Sequence, residues 1–387
     1  MAVVGASILV DARVNGLPGA HGIARSVMKL LAHMPPPEPG LTLRVLVNAG
    51  RQQLFPLSEI PAHADVIETD IPLGAAHRSL RLAGLIRAAG AAALYAPYPT
   101  FTPLIRPCPV VVTVHDGTIE ADAAFAGGWH KQAWLGVAFR AVLGRAAAVT
   151  APTCASLAAV RASYPYARNL TLVPNGVDLR QFGAVTDERA AAARERFGLP
   201  GRFVLTVGAR RPHKNQETLV RALAGLPRSA CLVVVGQPDR GLPDRLPPLI
   251  AELGLHARVL LLPDVPDEWL PGIYRAASAF ALPSLAEGFG LPALEAMAAG
   301  VPVVTSDIPA LAEVTRSAGL SVAPRDVPGW TAALGKVLTD PGVAGSLAEA
   351  GAAVAAEAGW SRGAEVLLGL LSAIATGRPP AGAGRPC

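Results

Sequence analysis

Cysteine, aromatic and charged residues are scarce in this chain of 387 residues, and long apolar runs are absent. The four cysteines are scattered and form no CxxC pair. That spacing argues against a disulfide framework or a structural zinc site, and it favours a reduced, cytosolic setting. No apolar run reaches the roughly 20 residues that a membrane-spanning helix needs. Because 51% of the residues are apolar, we expect a packed globular protein, and this length favours two domains.

The few charges are unevenly distributed. Residues 1–180 contain 15 Lys and Arg against 10 Asp and Glu, whereas residues 181–387 contain 19 of each. Part of the excess lies in the segment 77–87, where Arg78, Arg81 and Arg87 alternate with leucines. This pattern fits an amphipathic helix on an anionic membrane or a phosphorylated ligand, and equally a solvated helix face. The sequence contains no basic patch interleaved with aromatic residues, so it does not indicate nucleic-acid binding.

Short apolar runs alternate with helix-like segments along the whole chain, which predicts mainly parallel sheets covered by helices on both faces. The predicted strands are Ile8–Asp11, Leu43–Val47, Asp65–Glu68, Ala93–Tyr95, Val110–Val114, Ala148–Thr150, Leu170–Val173, Phe203–Val207, Leu232–Val235, Val259–Leu262, Ser278–Leu282, Val303–Thr305 and Leu320–Val322. The polar segment Gly176–Pro200 separates the two α/β halves, and we predict the connection between the domains there.

The stretch 283–300 is the most informative part of the chain. It follows a predicted strand, and Gly288 and Gly290 precede a short helix that Pro292 would begin and Gly300 would end. A helix N-terminus at the carboxyl edge of a sheet can bind an anion. Two carboxylates, Glu287 and Glu295, flank this predicted anion site.

Three further strand ends carry polar or flexible residues. The Gly-rich turn that includes Gly19 and Gly22 follows the first strand, and a structural turn and a ligand loop are equally consistent with it. His115 follows an apolar strand, at the edge where ligands bind in such folds, although single histidines are often structural.

A basic loop follows the strand Phe203–Val207. It begins with Gly208 and contains Arg210, Arg211 and Lys214, a charge density that would neutralise a diphosphate. Solvent-exposed loop charges are the alternative, and the position at a strand end favours a ligand role for Lys214.

With these residues in place, the chain resembles the retaining glycosyltransferases of family 4, which have the GT-B fold of two Rossmann-like domains facing across a cleft. The glutamates Glu287 and Glu295, separated by seven residues, are the most specific part of a resemblance that covers nearly the whole chain. The segments Asp11-Ala-Arg13 and Thr113-Val-His-Asp116 are similar to a subgroup that includes bacterial polysaccharide mannosyltransferases.

The resemblance implies an acceptor-binding domain at 1–180, a donor-binding domain at 181–359, a final helix at about 360–376 that returns to the first domain, and a flexible tail at 377–387. It implies that Glu295 binds the ribose, that Glu287 binds the donor sugar, and that Lys214 binds the diphosphate. His115 would contact a sugar hydroxyl. The other implied donor-binding residues are Gly19, Gly22, Gly208, Arg210, Arg211, Gly288, Phe289, Gly290 and Leu291. One departure is Ala209, where many relatives have arginine, so Arg210 or Arg211 would have to replace it.

The implied activity is transfer of a hexose from GDP-mannose or a UDP-sugar to a hydroxyl of a saccharide, lipid-linked or small-molecule acceptor, without a cofactor or metal. The expected location is the cytoplasm, with peripheral contact at the inner membrane face. Retention fits front-face attack or a covalent intermediate, and Glu287 suits the first. A nucleotide-sugar epimerase and a non-catalytic nucleotide-sugar binding protein are the alternative functions.

Overall fold

A computed structural model describes residues 5–17, 21–73, 78–103, 105–116, 129–239 and 242–379. The chain divides into two compact units. The first contains Met1–Ala121, His130–Asn175 and Trp360–Cys387, and the second contains Asp122–Trp129 and Gly176–Gly359. Each unit is a parallel β-sheet with helices packed against it, so the predicted fold class of two Rossmann-like α/β domains is confirmed.

The first unit contains a seven-stranded parallel sheet in the order β3-β2-β1-β4-β5-β6-β7. Its strands are β1 (Ala6–Asp11), β2 (Leu41–Asn48), β3 (Ala64–Thr69), β4 (Ala91–Ala96), β5 (Val110–Thr113), β6 (Ala148–Ala151) and β7 (Leu170–Leu172). The central strands β4, β5 and β6 are short and almost wholly apolar because helices cover both of their faces.

In the part of the chain that the structure describes, five helices accompany this sheet. They are α1 (His21–Ala32), α2 (Arg78–Ala88), α3 (Trp129–Leu143), α4 (Cys154–Ser163) and α14 (Trp360–Ala375). The last helix packs against β1, β4 and α1, so the end of the described chain belongs to the first unit. Its Gly363 lies against the backbone of Pro174, where a Cβ atom would come within 2.1 Å of the carbonyl oxygen.

The second unit contains a six-stranded parallel sheet in the order β10-β9-β8-β11-β12-β13. Its strands are β8 (Phe203–Val207), β9 (Cys231–Val235), β10 (Val259–Leu262), β11 (Ala279–Leu282), β12 (Val303–Ser306) and β13 (Leu320–Val322). Side chains alternate between the faces. Leu205 and Phe280 therefore belong to one core cluster, and Val204 and Ala281 to the other.

Among the described residues, nine helices follow or connect these strands. They are α5 (Leu179–Phe182), α6 (Asp187–Phe197), α7 (Gln216–Ala224), α8 (Leu246–Glu252), α9 (Leu270–Ala276), α10 (Leu291–Ala298), α11 (Pro309–Thr315), α12 (Val327–Thr339) and α13 (Pro341–Glu357). Helices α9 and α10 contribute Tyr274 and Met297 to the first core cluster, and α12 contributes Trp330 to the other.

All thirteen predicted strands are confirmed, each within two residues at either end. The chain passes from the first unit to the second at Asn175–Gly176, where the segment Gly176–Pro200 begins. This segment contains α5 and α6, and α6 packs against α9 as part of the second unit. Helix α6 is largely polar, and it buries only Ala190 and Ala193.

The scattered cysteines and the lack of long apolar runs led to two further predictions, that a disulfide framework and membrane-spanning helices are absent. Among the described cysteines, Cys154 is disulfide-bonded, which departs from the reduced setting that the spacing favoured, whereas Cys108 and Cys231 are free. Within the described ranges, no helix is long and apolar enough to cross a membrane.

Candidate active site

The candidate site in the second unit lies where the strand order reverses. Strand β8 has β9 on one side and β11 on the other, so the segments after β8 and β11 leave the same sheet edge side by side. In open parallel sheets, ligands bind at this position. Residues 208–215, before α7, and residues 283–290, before α10, are called the β8 loop and the β11 loop.

Three polar contacts join these two loops. The amide of Leu285 donates to the carbonyl oxygen of His213 at 2.7 Å, and the Asn215 side-chain amide donates to the carbonyl oxygen of Pro283 at 2.9 Å. The third contact is an ion pair between Lys214 Nζ and Glu287 Oε1 at 2.6 Å. The loops therefore hold each other in register, and two predicted site residues meet.

The Lys214–Glu287 ion pair is largely shielded from solvent, with side-chain exposures of 18% and 9%. The Ser284 hydroxyl donates to the same Glu287 oxygen at 2.7 Å. At this burial a cation and a carboxylate interact more strongly than on an open surface. Lys214 could bind a diphosphate in place of Glu287, and Glu287 could bind a sugar hydroxyl in place of Lys214.

The start of α10 depends on Gly290. This residue has φ 97° and ψ 45°, and a Cβ atom there would lie 2.4 Å from Leu311 Cδ2. Only glycine fits both conditions. Pro292 has no N–H, and the amides of Ala293 and Leu294 donate to the carbonyl oxygen of Gly290. The donor that the start of α10 presents at the sheet edge is therefore the Leu291 amide. Gly288 is buried, and Phe289 packs against the core of this unit.

Glu295 lies one turn into α10 and is 3% exposed. Its Oε2 accepts a hydrogen bond from the Tyr274 hydroxyl on α9 at 2.8 Å. Burial of a carboxylate costs free energy unless hydrogen bonds compensate for lost hydration. A buried, oriented carboxylate beside a sheet-edge anion site can accept hydrogen bonds from two neighbouring ligand hydroxyls.

The two arginines of the β8 loop have acidic partners after β9. Arg210 lies 3.4 Å from Asp244 with 8% of its side chain exposed, and Arg211 lies 3.0 Å from Asp239. Each guanidinium charge is thus balanced by an acid after β9, whereas Lys214 pairs with Glu287 of the β11 loop. Lys214 is therefore the cation that lies between the β8 and β11 loops.

The β8 loop begins with a close contact between two glycines. Gly208 and Gly236 both have φ 147°, and a Cβ atom on Gly236 would lie 2.1 Å from the Gly208 carbonyl oxygen. Gly236 therefore packs directly against the start of the β8 loop. Gly208 in turn lies beside the stem of Lys214, since its Cβ position is 3.7 Å from Lys214 Cε.

We expect Gly236→Ala to lower the free energy of unfolding by about 3 kcal/mol, because it adds backbone strain and a steric overlap with Gly208. Denaturant unfolding measures the loss. Gly254→Ala is the matched control, because Gly254 also has a positive φ, of 64°, but no atom within 4 Å of its Cβ position. The control should lose about 1 kcal/mol. Equal losses would contradict a role for the close contact.

His115, in the first unit, follows β5. Its Nε2–H donates to the carbonyl oxygen of Pro97, after β4, at 2.9 Å, which leaves Nδ1 as an acceptor. Burial lowers the pKa of His115 to about 4, although the hydrogen bond to Pro97 opposes that effect. The imidazole is therefore neutral at pH 7.

The remaining predicted residues of the first unit lie near β1. Gly22 is in the first turn of α1, and no atom lies within 4 Å of the position of a Cβ there. Gly19 lies outside the described residues. The buried ion pair between Arg13 Nη2 and Asp11 Oδ2, at 2.6 Å, holds the segment between β1 and this turn, and Arg13 also donates to the carbonyl oxygen of Ile71.

Sequence reasoning missed three residues of the second unit. Ser284 and Tyr274 bind the two glutamates, and Asn215 adopts a left-handed conformation with φ 51° while it donates to Pro283 and Pro324. The only signal for Asn215 was its place beside Lys214. Neither Ser284 nor Tyr274 belongs to a pattern that distinguishes it from a core residue.

No group of three or more His, Cys, Asp or Glu side chains suited to a metal ion occurs in the part of the chain that the structure describes.

Two family models match the chain. The model described as Glycosyltransferase Family 4 covers residues 21–181, and the model described as Glycosyl transferases group 1 covers residues 188–354. Together they include Gly22 and His115 of the first unit and the β8 loop, the β11 loop and Glu295 of the second unit.

Curated relatives carry the name D-inositol 3-phosphate glycosyltransferase. The protein of Nocardia farcinica is 39% identical over 215 residues, which are 53% of this chain and 47% of that protein. The protein of Mycolicibacterium smegmatis is 38% identical over 205 residues, which are 51% of this chain and 46% of that protein. The chain thus spans about half the length of the curated relatives it matches.

Solved structures share the fold over nearly the full chain. A sucrose-phosphate synthase from Thermosynechococcus elongatus has a TM-score of 0.74 at 22% identity and covers 93% of this chain and 96% of its own. Anabaena HepE in complex with UDP and glucose has a TM-score of 0.72 at 22% identity, and the match covers 92% of this chain and 95% of HepE. At this identity the likeness concerns the fold alone.

Proposed function

Because the chain combines a family 4 and a group 1 glycosyltransferase domain on the GT-B fold, we propose that it transfers a hexose from a nucleotide-diphosphate sugar to an acceptor hydroxyl. The donor would be GDP-mannose or a UDP-sugar, and the acceptor a saccharide, a lipid-linked saccharide or a small molecule. Transfer would retain the anomeric configuration.

The observation that carries this proposal is the ion pair between Lys214 and Glu287 at the switch point of the second sheet, in the loop that leads into α10 and its buried Glu295. On binding, the diphosphate would take Lys214 as its partner, and Glu287 would turn to the sugar hydroxyls. Glu295 would accept hydrogen bonds from the ribose hydroxyls. Gly208 and the amides from Gly288 to Leu291 would line the donor.

Cleavage of the sugar–diphosphate bond places negative charge on the leaving group. The Lys214 cation and the Leu291 amide at the start of α10 would stabilise that charge with little reorganisation. Because these groups supply positive charge themselves, we propose transfer without a divalent metal. In the first unit, neutral His115 would accept a hydrogen bond from a sugar hydroxyl through Nδ1, and Gly22 would leave room for the donor.

We propose front-face attack, in which the leaving phosphate takes the acceptor proton. Glu287 already has two polar partners, Lys214 and Ser284, which suit a binding residue as well as a nucleophile. Rescue of Glu287→Ala by azide, with a glycosyl azide of inverted configuration as the product, would instead identify a covalent intermediate on Glu287.

The acceptor to examine first follows from the curated relatives. Their printed name specifies inositol 3-phosphate, so phosphorylated polyols join the saccharides and lipid-linked saccharides as candidates. A mannosyl donor remains a proposal that rests on the motif at Thr113–Asp116. We also propose a cytoplasmic location, where Cys108 and Cys231 would remain free thiols.

The test is a screen of nucleotide-diphosphate sugars for thermal stabilisation, followed by measurement of donor hydrolysis and of transfer to each acceptor class. We expect one nucleotide to stabilise the protein and its sugar to be hydrolysed slowly without acceptor. Conversion of a UDP-sugar to its epimer without acceptor would indicate an epimerase. Tight binding without turnover on any acceptor would indicate a binding protein.

A further inference from the structure

Helices α2 and α3 pack on the same face of the first sheet. Leu82 and Ile86 of α2 belong to one core cluster with Phe139 and Leu143 of α3 and with the sheet residue Val112. Since both helices bury these sides against one sheet face, their opposite sides face solvent in the same direction.

The outer sides of these helices expose large apolar side chains. Leu80 of α2 is 67% exposed and Val137 of α3 is 69% exposed, the two highest values among the exposed large apolar residues that the structure describes. Arg87 lies seven positions after Leu80, and Arg140 three positions after Val137. At these spacings an arginine and an apolar residue share one side of each helix.

Neither helix contains an acidic residue. Their basic residues are Arg78, Arg81, Lys131, Arg87 and Arg140. Arg81 pairs with Asp70 at 3.0 Å, and Arg140 hydrogen-bonds to the exposed Tyr166, but no salt bridge to Arg87 or Arg140 occurs within the described ranges. These helices therefore carry part of the excess positive charge of the first half of the chain. We call the exposed set Leu80, Arg87, Val137 and Arg140 the α2–α3 face.

We propose that the α2–α3 face docks on an anionic lipid surface. Leucine and valine would enter the boundary between headgroups and acyl chains, and the arginines would pair with lipid phosphates. The combination of arginines with exposed apolar side chains distinguishes this surface from a nucleic-acid site, because a phosphate backbone makes no apolar contact with Leu80 or Val137. The proposal goes beyond sugar transfer and does not depend on it.

The test uses the full chain and co-sedimentation with two kinds of vesicle, one of phosphatidylcholine and one of equal parts phosphatidylcholine and phosphatidylglycerol. We expect binding only to the anionic vesicles. Arg87→Ser with Arg140→Ser should weaken it at least tenfold, since each arginine near an anionic surface contributes about 1 kcal/mol, or about fivefold. Leu80→Ser with Val137→Ser should also weaken it, by a factor that added salt changes little.

Arg221→Ser with Arg228→Ser is the matched control, because these exposed arginines lie in the second unit. It should bind like the unaltered chain. Thermal stabilisation by nucleoside diphosphates should be the same in all variants, which separates this test from that of the proposed function. Equal weakening by the control, no effect of the apolar pair, or no vesicle binding would overturn the proposal. Tighter binding to duplex DNA than to vesicles would replace it with a nucleic-acid surface.

Discussion

Lys214→Ala is expected to lower kcat by about 10²-fold or more, because a fixed cation that stabilises a leaving diphosphate acts chiefly in the transition state. Arg210 and Arg211 pair with Asp244 and Asp239 after β9, whereas Lys214 pairs with Glu287 of the β11 loop, so Lys214 is the cation between the two loops. Steady-state kinetics with the donor that the screen identifies would measure the effect. Lys214→Arg keeps the charge and should recover part of the rate.

Two controls accompany this prediction. Lys336→Ala removes an exposed lysine of α12 in the same unit and should leave kcat unchanged. Arg211→Ala should lower kcat less than tenfold, because that arginine is already paired and half exposed. Circular dichroism would check that Lys214→Ala, which leaves the buried Glu287 without its cation, still folds. A normal kcat in a folded Lys214→Ala protein would rule out the leaving-group role.

Glu295→Ala is expected to raise the dissociation constant of the donor nucleotide by about 10²-fold or more. A buried carboxylate that accepts two ribose hydroxyls makes two charge-assisted hydrogen bonds, each of about 1.5–3 kcal/mol. Calorimetry with the nucleoside diphosphate and with its 2′-deoxy analogue measures the effect. The unaltered protein should prefer the ribonucleotide, and Glu295→Ala should lose that preference.

Tyr274→Phe separates the orientation of Glu295 from its direct role. It removes the hydroxyl that donates to the carboxylate at 2.8 Å but keeps the aromatic ring in the core, so affinity should fall less than tenfold. Glu349→Ala, on the exposed side of α13, should have no effect. Loss of affinity for the ribo- and deoxynucleotide alike in Glu295→Ala would point to disturbed packing and not to ribose binding.

Most of the candidate donor residues could be predicted from sequence because of their position along the chain. Parallel strands end at one edge of a sheet, so residues just after β8 and β11 must lie at that edge. Lys214 and Glu287 are 73 residues apart, and their predicted proximity followed from this rule and from the family resemblance. Gly290 could be predicted too, because a glycine before Pro292 is typical of a helix start.

Contacts between loops could not be predicted in this way. The acidic partners of Arg210 and Arg211 leave Lys214 as the cation between the two loops, and both come from the segment after β9. The same holds for Ser284 beside Glu287 and Tyr274 beside Glu295, since the direction of a side chain depends on packing between elements. Isolated polar residues in apolar surroundings carry no periodic signal.

The sequence by itself determined the alternation of strands and helices, the two α/β halves and the strand-end positions of the candidate site, because these follow from local hydrophobic pattern and from glycine and proline chemistry. Only the tertiary structure decided the strand order that places the β8 and β11 loops side by side. It also decided the pairing of Lys214 with Glu287 and the common orientation of α2 and α3. Strand order and side-chain pairing depend on contacts between distant segments, and those contacts exist only once the chain is packed.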